Sequence, residues 1–308
     1  MTVAGKLARR AALASVACAL LLGVLKAYAA WRTGSVAVLA SLADSVLDLL
    51  ASLVTLGGVH WAMQPADDEH RFGHGKAEAL AALFQVGVIA VSAFAILLRA
   101  IDRLIAGQPT ALPEYGIGVS LIAIVVTLGL TSYQQSVVRR TGSIAVSTDR
   151  IHYSSDLLLN AAVIVALVLE AYAGVAGADA GFGIAIALWL MFGAWRASLA
   201  AIDQLMDKEW PEEKRRRFIE IAARHPELIG LHDLRTRTSG AKDFVQFHIW
   251  MAPEMTVAAA HDVVERLERA LAEEFPGTEV LIHVDPEGHV DEPGNPLVET
   301  DLLKENRA

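Results

Sequence analysis

Asp44 and Asp48 stand four residues apart in SLADSVLDLLASL, residues 41 to 53, a stretch that is otherwise apolar. A charged side chain near the centre of a bilayer costs roughly 2.5 to 3.5 kcal/mol on insertion scales, so carboxylates kept in such a helix are expected to work. Ser41, Asp44, Ser45, Asp48, Ser52 and Thr55 recur at spacings of three and four, which places them on one face. RIHYSSDLLLNAAV repeats the device, with His152, Asp156 and Asn160 four apart on a shared face. Two helices that each offer two ligand-type residues at i, i+4 can close a shell of one imidazole and three carboxylates. That donor set suits a divalent transition metal such as zinc, with bonds of about 2.0 to 2.2 Å. The alternative is pairing with bases or helix-packing hydrogen bonds, but only Lys26, Arg99 and Arg196 offer basic partners, and none lies on these two helices.

A second constellation lies in QPADDEHRFGHGKAE, where Asp67, His70 and His74 can converge on a metal and Gly73 and Gly75 leave the backbone free to fold around it. A solvated polar loop is the plainer alternative. The spacing of His70 and His74 resembles half of a zincin motif, but Arg71 stands where the required glutamate would be.

A third set occupies the last hundred residues, which hold six of the ten histidines: His225, His232, His248, His261, His283 and His289. In TEVLIHVDP, His283 and Asp285 point to one face of a strand and Ile282 and Val284 to the other. His248 lies opposite Val245, Phe247 and Ile249, His232 opens a strand, and His261 falls in the first turns of a helix. Together they can build a site for one or two zinc-type ions, while His225 and His289 read as surface residues. Cys18 is the single cysteine and lies in an apolar run, which leaves histidine and carboxylate as the metal ligands.

These residues need elements to hold them, and composition says which. The 308 residues are 54% hydrophobic with a mean hydropathy of +0.41, too apolar for an ordinary soluble domain. Residues 1 to 208 carry 14 acids and 14 bases, whereas residues 209 to 308 carry 21 acids and 12 bases, so the net charge of -9 lies in the last hundred. A membrane part followed by an acidic water-soluble part is expected. That acidity argues against nucleic acid and for cationic partners.

Six stretches are long enough to span, since a span needs about 20 largely apolar residues: roughly 11 to 30, 36 to 62, 79 to 101, 113 to 137, 148 to 172 and 180 to 202. The first has the basic start of a signal peptide but runs on without a cleavage site, and reads as a transmembrane helix. The sixth is the least clear, because Trp189, Trp195 and Arg196 look interfacial. Lys6, Arg9, Arg10, Arg71, Lys76, Arg139, Arg140 and Arg150 fall on one face, against chiefly Arg32 and Arg103 on the other. The positive-inside rule then places both termini in the cytoplasm.

From 209 the pattern is that of a small α+β unit. A helix starts at Trp210-Pro211-Glu212-Glu213, with Pro at its first position and acids in its first turn, and runs to Arg224. Strands are predicted at 231 to 238 and 243 to 251 around a Ser239-Gly240 turn, then a helix over 257 to 275 capped by Thr256 and ended by Pro276-Gly277, then the last strand. The order α-β-β-α-β is compatible with a ferredoxin-like sandwich. The expected domains are 1–208, membrane; 209–288, ferredoxin-like; and 289–308, a disordered acidic tail.

The segments ADSVLDLLASL, QPADDEHRFGHGKAEALAAL, DRIHYSSDLLLNAAV, LHDLRTRTSG and LIHVDP together resemble the cation diffusion facilitator family, and closely its bacterial ferrous-iron and zinc efflux members. The likeness covers about residues 5 to 287. It implies six transmembrane helices, a metallochaperone-like cytoplasmic domain, a homodimer and a bacterial inner-membrane location. It makes Asp44, Asp48, His152 and Asp156 the transport site, Asp67, His70 and His74 a loop site, and His232, His248, His261, His283 and Asp285 a cytoplasmic site.

The chemistry expected is exchange of cytoplasmic Zn²⁺ for protons, with Cd²⁺ and Fe²⁺ as further substrates and Fe²⁺ or Mn²⁺ preference as alternatives. Metal binds only deprotonated ligands, so the two cations compete. Within these residues there is neither a GxxxxGK[ST] loop nor an Asp-Lys-Thr-Gly sequence to use ATP. Two rivals are an intramembrane metal-dependent hydrolase, which would need an open ligand position and a general base, and a non-transporting metal sensor or scaffold, which would not need the buried tetrad.

Overall fold

The computed structural model describes residues 3–33, 36–106, 114–173, 177–289 and 301–305. They divide into two compact units, 1–202 and 203–308.

The first unit holds six long helices: α1 Val3–Thr33, α2 Val36–Ala62, α3 Ala77–Ala106, α4 Glu114–Thr141, α5 Ile144–Ala173 and α6 Ala178–Leu205. With 27 to 31 residues each, all exceed the length that crosses a hydrocarbon core of about 30 Å. Five of them contain a described stretch apolar enough to cross a membrane, among them Ala180–Leu205 of α6, the span that the sequence left least clear. Its Trp189 and Trp195 are exposed on the outer surface, where aromatic rings suit an interface. The helix outside this group of five is α5, which carries Asp149, Arg150, His152 and Asp156.

Small residues bring these helices together. A cluster of Ala8, Ala11, Val59, Ala81, Val137, Ala145 and Val146 draws on five of the six. A Cβ at Gly58 would stand 2.3 Å from the Cβ of Ala81, so α2 and α3 pack backbone against backbone. The α4–α5 connection is two residues long. Gly142, at φ 66, donates its N–H to Val138 O at 2.8 Å and closes α4. Ser143 then opens α5, accepting the Val146 N–H at 3.4 Å and donating to the buried Glu78 of α3 at 2.8 Å.

The second unit runs α7 Glu212–Ala222, β1 Gly230–Ser239, β2 Lys242–Met251, α8 Val257–Glu274, β3 Thr278–Pro286 and α9 Leu302–Glu305. β1 pairs antiparallel with β2, and β2 parallel with β3, which α8 makes possible by carrying the chain back between them. The α-β-β-α-β order is as expected. Three local differences follow from backbone chemistry. Pro211 is the N-cap of α7 with ψ 141 rather than its first turn, since the extended conformation of the cap suits a residue without an N–H. α7 ends at Ala222 rather than Arg224. The hairpin turn is Gly240-Ala241, with Gly240 at φ 61 and Ser239 paired to Lys242.

One sheet face packs Leu231, Leu234, Val245, Phe247 and Ile249 against Phe218 of α7 and Val263, Leu267 and Leu271 of α8. Leu231 and Leu234 are three apart, an odd spacing that an even-period strand cannot bury on one face. A bulge between His232 and Arg235, with Asp233 at φ 48, resets the phase and lets both leucines face the core. The expected tail at 289–308 is corrected over 301–305, where Leu302 and Leu303 of α9 enter this same core. Two apolar side chains recover enough burial to order a short segment that acidic composition alone reads as unstructured. Residues 290–300 and 306–308 lie outside those described.

Candidate metal centres

In the first unit, Asp48 of α2 and His152 and Asp156 of α5 each present a ligand atom, all within 4.8 Å of one another. His152 Nε2 is 3.0 Å from Asp48 Oδ1 and its ring is buried. Asp44 lies one turn before Asp48 in α2, but its side chain falls outside those described. Asn160, on the same face of α5, turns its amide back to the carbonyl of Asp156 at 2.7 Å. Ser45 and Ser52 of the α2 polar stripe are engaged from other helices. Lys26 Nζ donates to Ser45 Oγ at 2.7 Å, and Ser52 Oγ lies 2.8 Å from the hydroxyl of Tyr153. Lys26, one of the bases weighed as partners, therefore does stand against α2, although on a neighbouring residue.

The α2–α3 loop brings Asp67, His70 and His74 together. His70 Nδ1 and His74 Nε2 each stand 3.3 Å from an oxygen of Asp67, and the two rings are 4.5 Å apart. Asp67 Oδ1 accepts the backbone N–H groups of Glu69 at 3.0 Å and His70 at 2.6 Å, which holds its carboxyl below the ordinary carboxylate range, the His70 N–H contributing most. Gly73, at φ 81, closes the turn by donating to His70 O. His74 Nδ1 lies 3.2 Å from Pro65 O, while its Nε2 faces Asp67. Asp68, beside this site in sequence, instead pairs outward with Arg71 at 3.2 Å.

In the second unit, strand register gathers the histidines. His232 pairs with His248 across β1–β2 and His248 with His283 across β2–β3, so three imidazoles cross the sheet in one row on the face away from the core. The buried Asp285 collects them: its carboxylate is 2.8 Å from His248 Nδ1, 3.3 Å from His283 Nε2 and 3.4 Å from His232 Nε2. His232, His248 and Asp285 form a ligand group within 4.8 Å, and His283 adds an imidazole that is 60% exposed. His261 stands apart from this row, 68% exposed and 3.5 Å from Glu265 on its own helix, although it and Asp285 line one groove between α8 and β3. Asp233, placed by the bulge, lies 3.9 Å from His248 Nε2 and is held by Arg235 at 2.9 Å. The odd spacing of Leu231 and Leu234 was the signal in the sequence that could have located it.

Every one of these groups offers only nitrogen and oxygen donors, which suits a borderline divalent cation. Sequence reasoning missed Asp149, Tyr153, Gln85 and Gln134, polar residues buried between the membrane helices. Of these, Gln85 alone stands isolated in an apolar stretch, which was the available signal for it.

Comparison with known proteins agrees with this architecture. Residues 12–206 match the model of the cation efflux transmembrane domain, and residues 210–287 that of the cation efflux protein cytoplasmic domain. The cation-efflux pump FieF of Cronobacter sakazakii is 45% identical over 282 residues, covering 92% of this chain and 94% of that protein, and FieF of Citrobacter koseri matches to the same extent. Among solved structures, the metal-bound C-terminal domain of the CzcD transporter from Thermotoga maritima is 25% identical over 27% of this chain and 99% of that chain, with a TM-score of 0.25. With both family models matched and relatives aligned along nearly its whole length, the chain belongs to the cation diffusion facilitator family of cation efflux transporters.

Proposed function

We propose that this protein exports a divalent metal, Zn²⁺ foremost, from the cytoplasm across the bacterial inner membrane in exchange for protons, with Asp44, Asp48, His152 and Asp156 as the transport site. The observation that carries this reading is the 3.0 Å contact between His152 Nε2 and Asp48 Oδ1 inside the helical bundle, with Asp156 beside them. An imidazole and a carboxylate at hydrogen-bond distance share one proton, on the nitrogen and oxygen atoms that would bond a metal. Metal entering must release that proton, and a proton returning must release metal. If the site opens alternately to the two sides, the proton gradient drives the metal outward. One imidazole among carboxylates favours Zn²⁺ and Cd²⁺ over Mn²⁺, with Fe²⁺ also within its range.

In this reading both termini are cytoplasmic and two copies associate through the second unit. Its histidine row binds metal as a sensor or clamp, and Asp67, His70 and His74 form a peripheral site on the α2–α3 loop. The test is the full chain reconstituted in proteoliposomes with an entrapped zinc indicator and a pH dye. Asp48→Ala or His152→Ala should abolish zinc-driven proton flux. Retention of full flux by either variant would remove the mechanism.

A further inference from the structure

Asp149 of α5, one turn before His152, is 0% exposed, and it is gripped from three other helices. Ser15 Oγ of α1 donates to its Oδ2 at 2.6 Å, Gln134 Nε2 of α4 donates to the same oxygen at 2.8 Å, and Gln85 Nε2 of α3 approaches Oδ1 at 3.4 Å. Ser15, Gln85 and Gln134 are equally buried. The network continues to α2 and the transport pair. Tyr153 donates its hydroxyl to the carbonyl of Ser15 at 3.1 Å and meets Ser52, which lies one turn beyond Asp48. Four helices, α1, α3, α4 and α5, thus meet at a carboxylate that is not part of the proposed metal shell, and α2 joins them through Ser52 and Tyr153.

We propose that Asp149 is a positioning residue for transport, the node at which α1, α3 and α4 hold α5 so that His152 and Asp156 face Asp48. Stability alone does not account for it, because well-packed apolar groups often serve as well as or better than buried charge. Such a hub specifies one arrangement of the helices instead. The amide oxygens of Gln85 and Gln134 are buried and have no hydrogen-bond partner among the described residues. Buried acceptors left unpaired call for an explanation, and here they follow from turning both amide N–H groups toward one carboxylate.

The proposal rests on the reading of Asp48, His152 and Asp156 as the transport site, so the test separates the two. Zinc transport by the full chain in proteoliposomes is measured against zinc concentration for Asp149→Asn, Ser15→Ala, the double variant Asp149→Asn with Gln134→Glu, and Asp48→Ala. Asp149→Asn should raise the KM for zinc about tenfold in protein that is folded by circular dichroism, the scale of one lost charge-assisted hydrogen bond. The double variant returns a carboxylate to the hub from α4 and should recover most of that loss. Ser15→Ala removes one donor to that carboxylate and should likewise raise KM about tenfold, the scale of one charge-assisted hydrogen bond, and decides the matter alone if Asp149→Asn does not fold. An unchanged KM in folded Asp149→Asn or Ser15→Ala overturns the proposal, as does a double variant no better than Asp149→Asn. Normal transport by Asp48→Ala would instead remove the site reading on which it rests. A dead Asp48→Ala beside a normal Asp149→Asn removes the hub alone.

Discussion

His152 Nε2 and Asp48 Oδ1 meet at 3.0 Å although 104 residues separate them. Two helices whose polar faces were each incomplete, α2 and α5, complete one another there. In the proposed reading a proton held between these atoms occupies the metal's ligand positions, which sets the first expectation. Zinc binding by the wild-type chain at neutral pH should release protons to buffer, and His152→Ala should release about one fewer per zinc. Calorimetry in buffers of different ionisation enthalpy reads this directly, and equal release would show that His152 is not the group that exchanges.

Replacing His152 by Asp leaves an all-oxygen donor set. The preference for zinc over manganese should then fall by about tenfold or more, since nitrogen ligands favour zinc while oxygen ligands suit manganese. Competition between the two metals for uptake into vesicles measures the ratio.

Asp67 is charged at neutral pH and remains so below the ordinary carboxylate range, because the His70 and Glu69 N–H groups hydrogen-bond its ionised form. A lowered carboxyl pKa contributes order to the loop that is present above the unfolded value, about 4, and is lost as pH falls through the folded value. Asp67→Asn keeps an acceptor for those N–H groups and removes only the charge. In an Asp48→Ala background, zinc affinity of the loop at neutral pH should fall about tenfold or more, as for loss of one anionic ligand. Calorimetric titration would detect the change.

Gly58 has no room for a side chain, since its Cβ would meet Ala81 at 2.3 Å. Gly58→Leu should force α2 away from α3, at a cost of at least about 1 to 3 kcal/mol. A lower unfolding midpoint in detergent is the readout. Gly57, one residue earlier, is the control: a Cβ there would meet nothing within 4 Å, so Gly57→Ala should be near neutral.

His232 and His283 share Asp285 yet differ in burial, 1% for His232 against a 60% exposed side chain for His283. The His232 ring also lies 4.9 Å from that of Trp250, which in turn packs against Gly230. Both His232→Ala and His283→Ala should weaken metal binding to the second unit. Only His232→Ala should also lower stability without metal, by roughly 1 to 3 kcal/mol, whereas His283→Ala should stay within about 0.5 kcal/mol. Thermal unfolding of the full chain in chelator separates the two effects.

Several elements were legible because a short-range period encodes them. The spacing of Asp44 and Asp48, and of His152 and Asp156, follows the helical turn, so each half-site could be read from its own segment. Alternation placed His248 and the pair His283 and Asp285 on one strand face each, and hydropathy delimited the six long helices. The Asp67, His70 and His74 cluster was readable because its members all fall within one short loop segment.

What the sequence determined by itself was therefore the identity of the ligand-type residues and the local face each occupies. Tertiary structure decided which faces meet. Register across two strand pairs lined up His232, His248 and His283 and set His261 aside, while the bulge at Asp233 resolved a conflict between strand period and leucine burial. The grip of Ser15, Gln85 and Gln134 on Asp149 joins four helices, and Leu302 and Leu303 find their core far back along the chain. No local period records such contacts, because their energy depends on burial and hydrogen bonding between segments that come together only on folding.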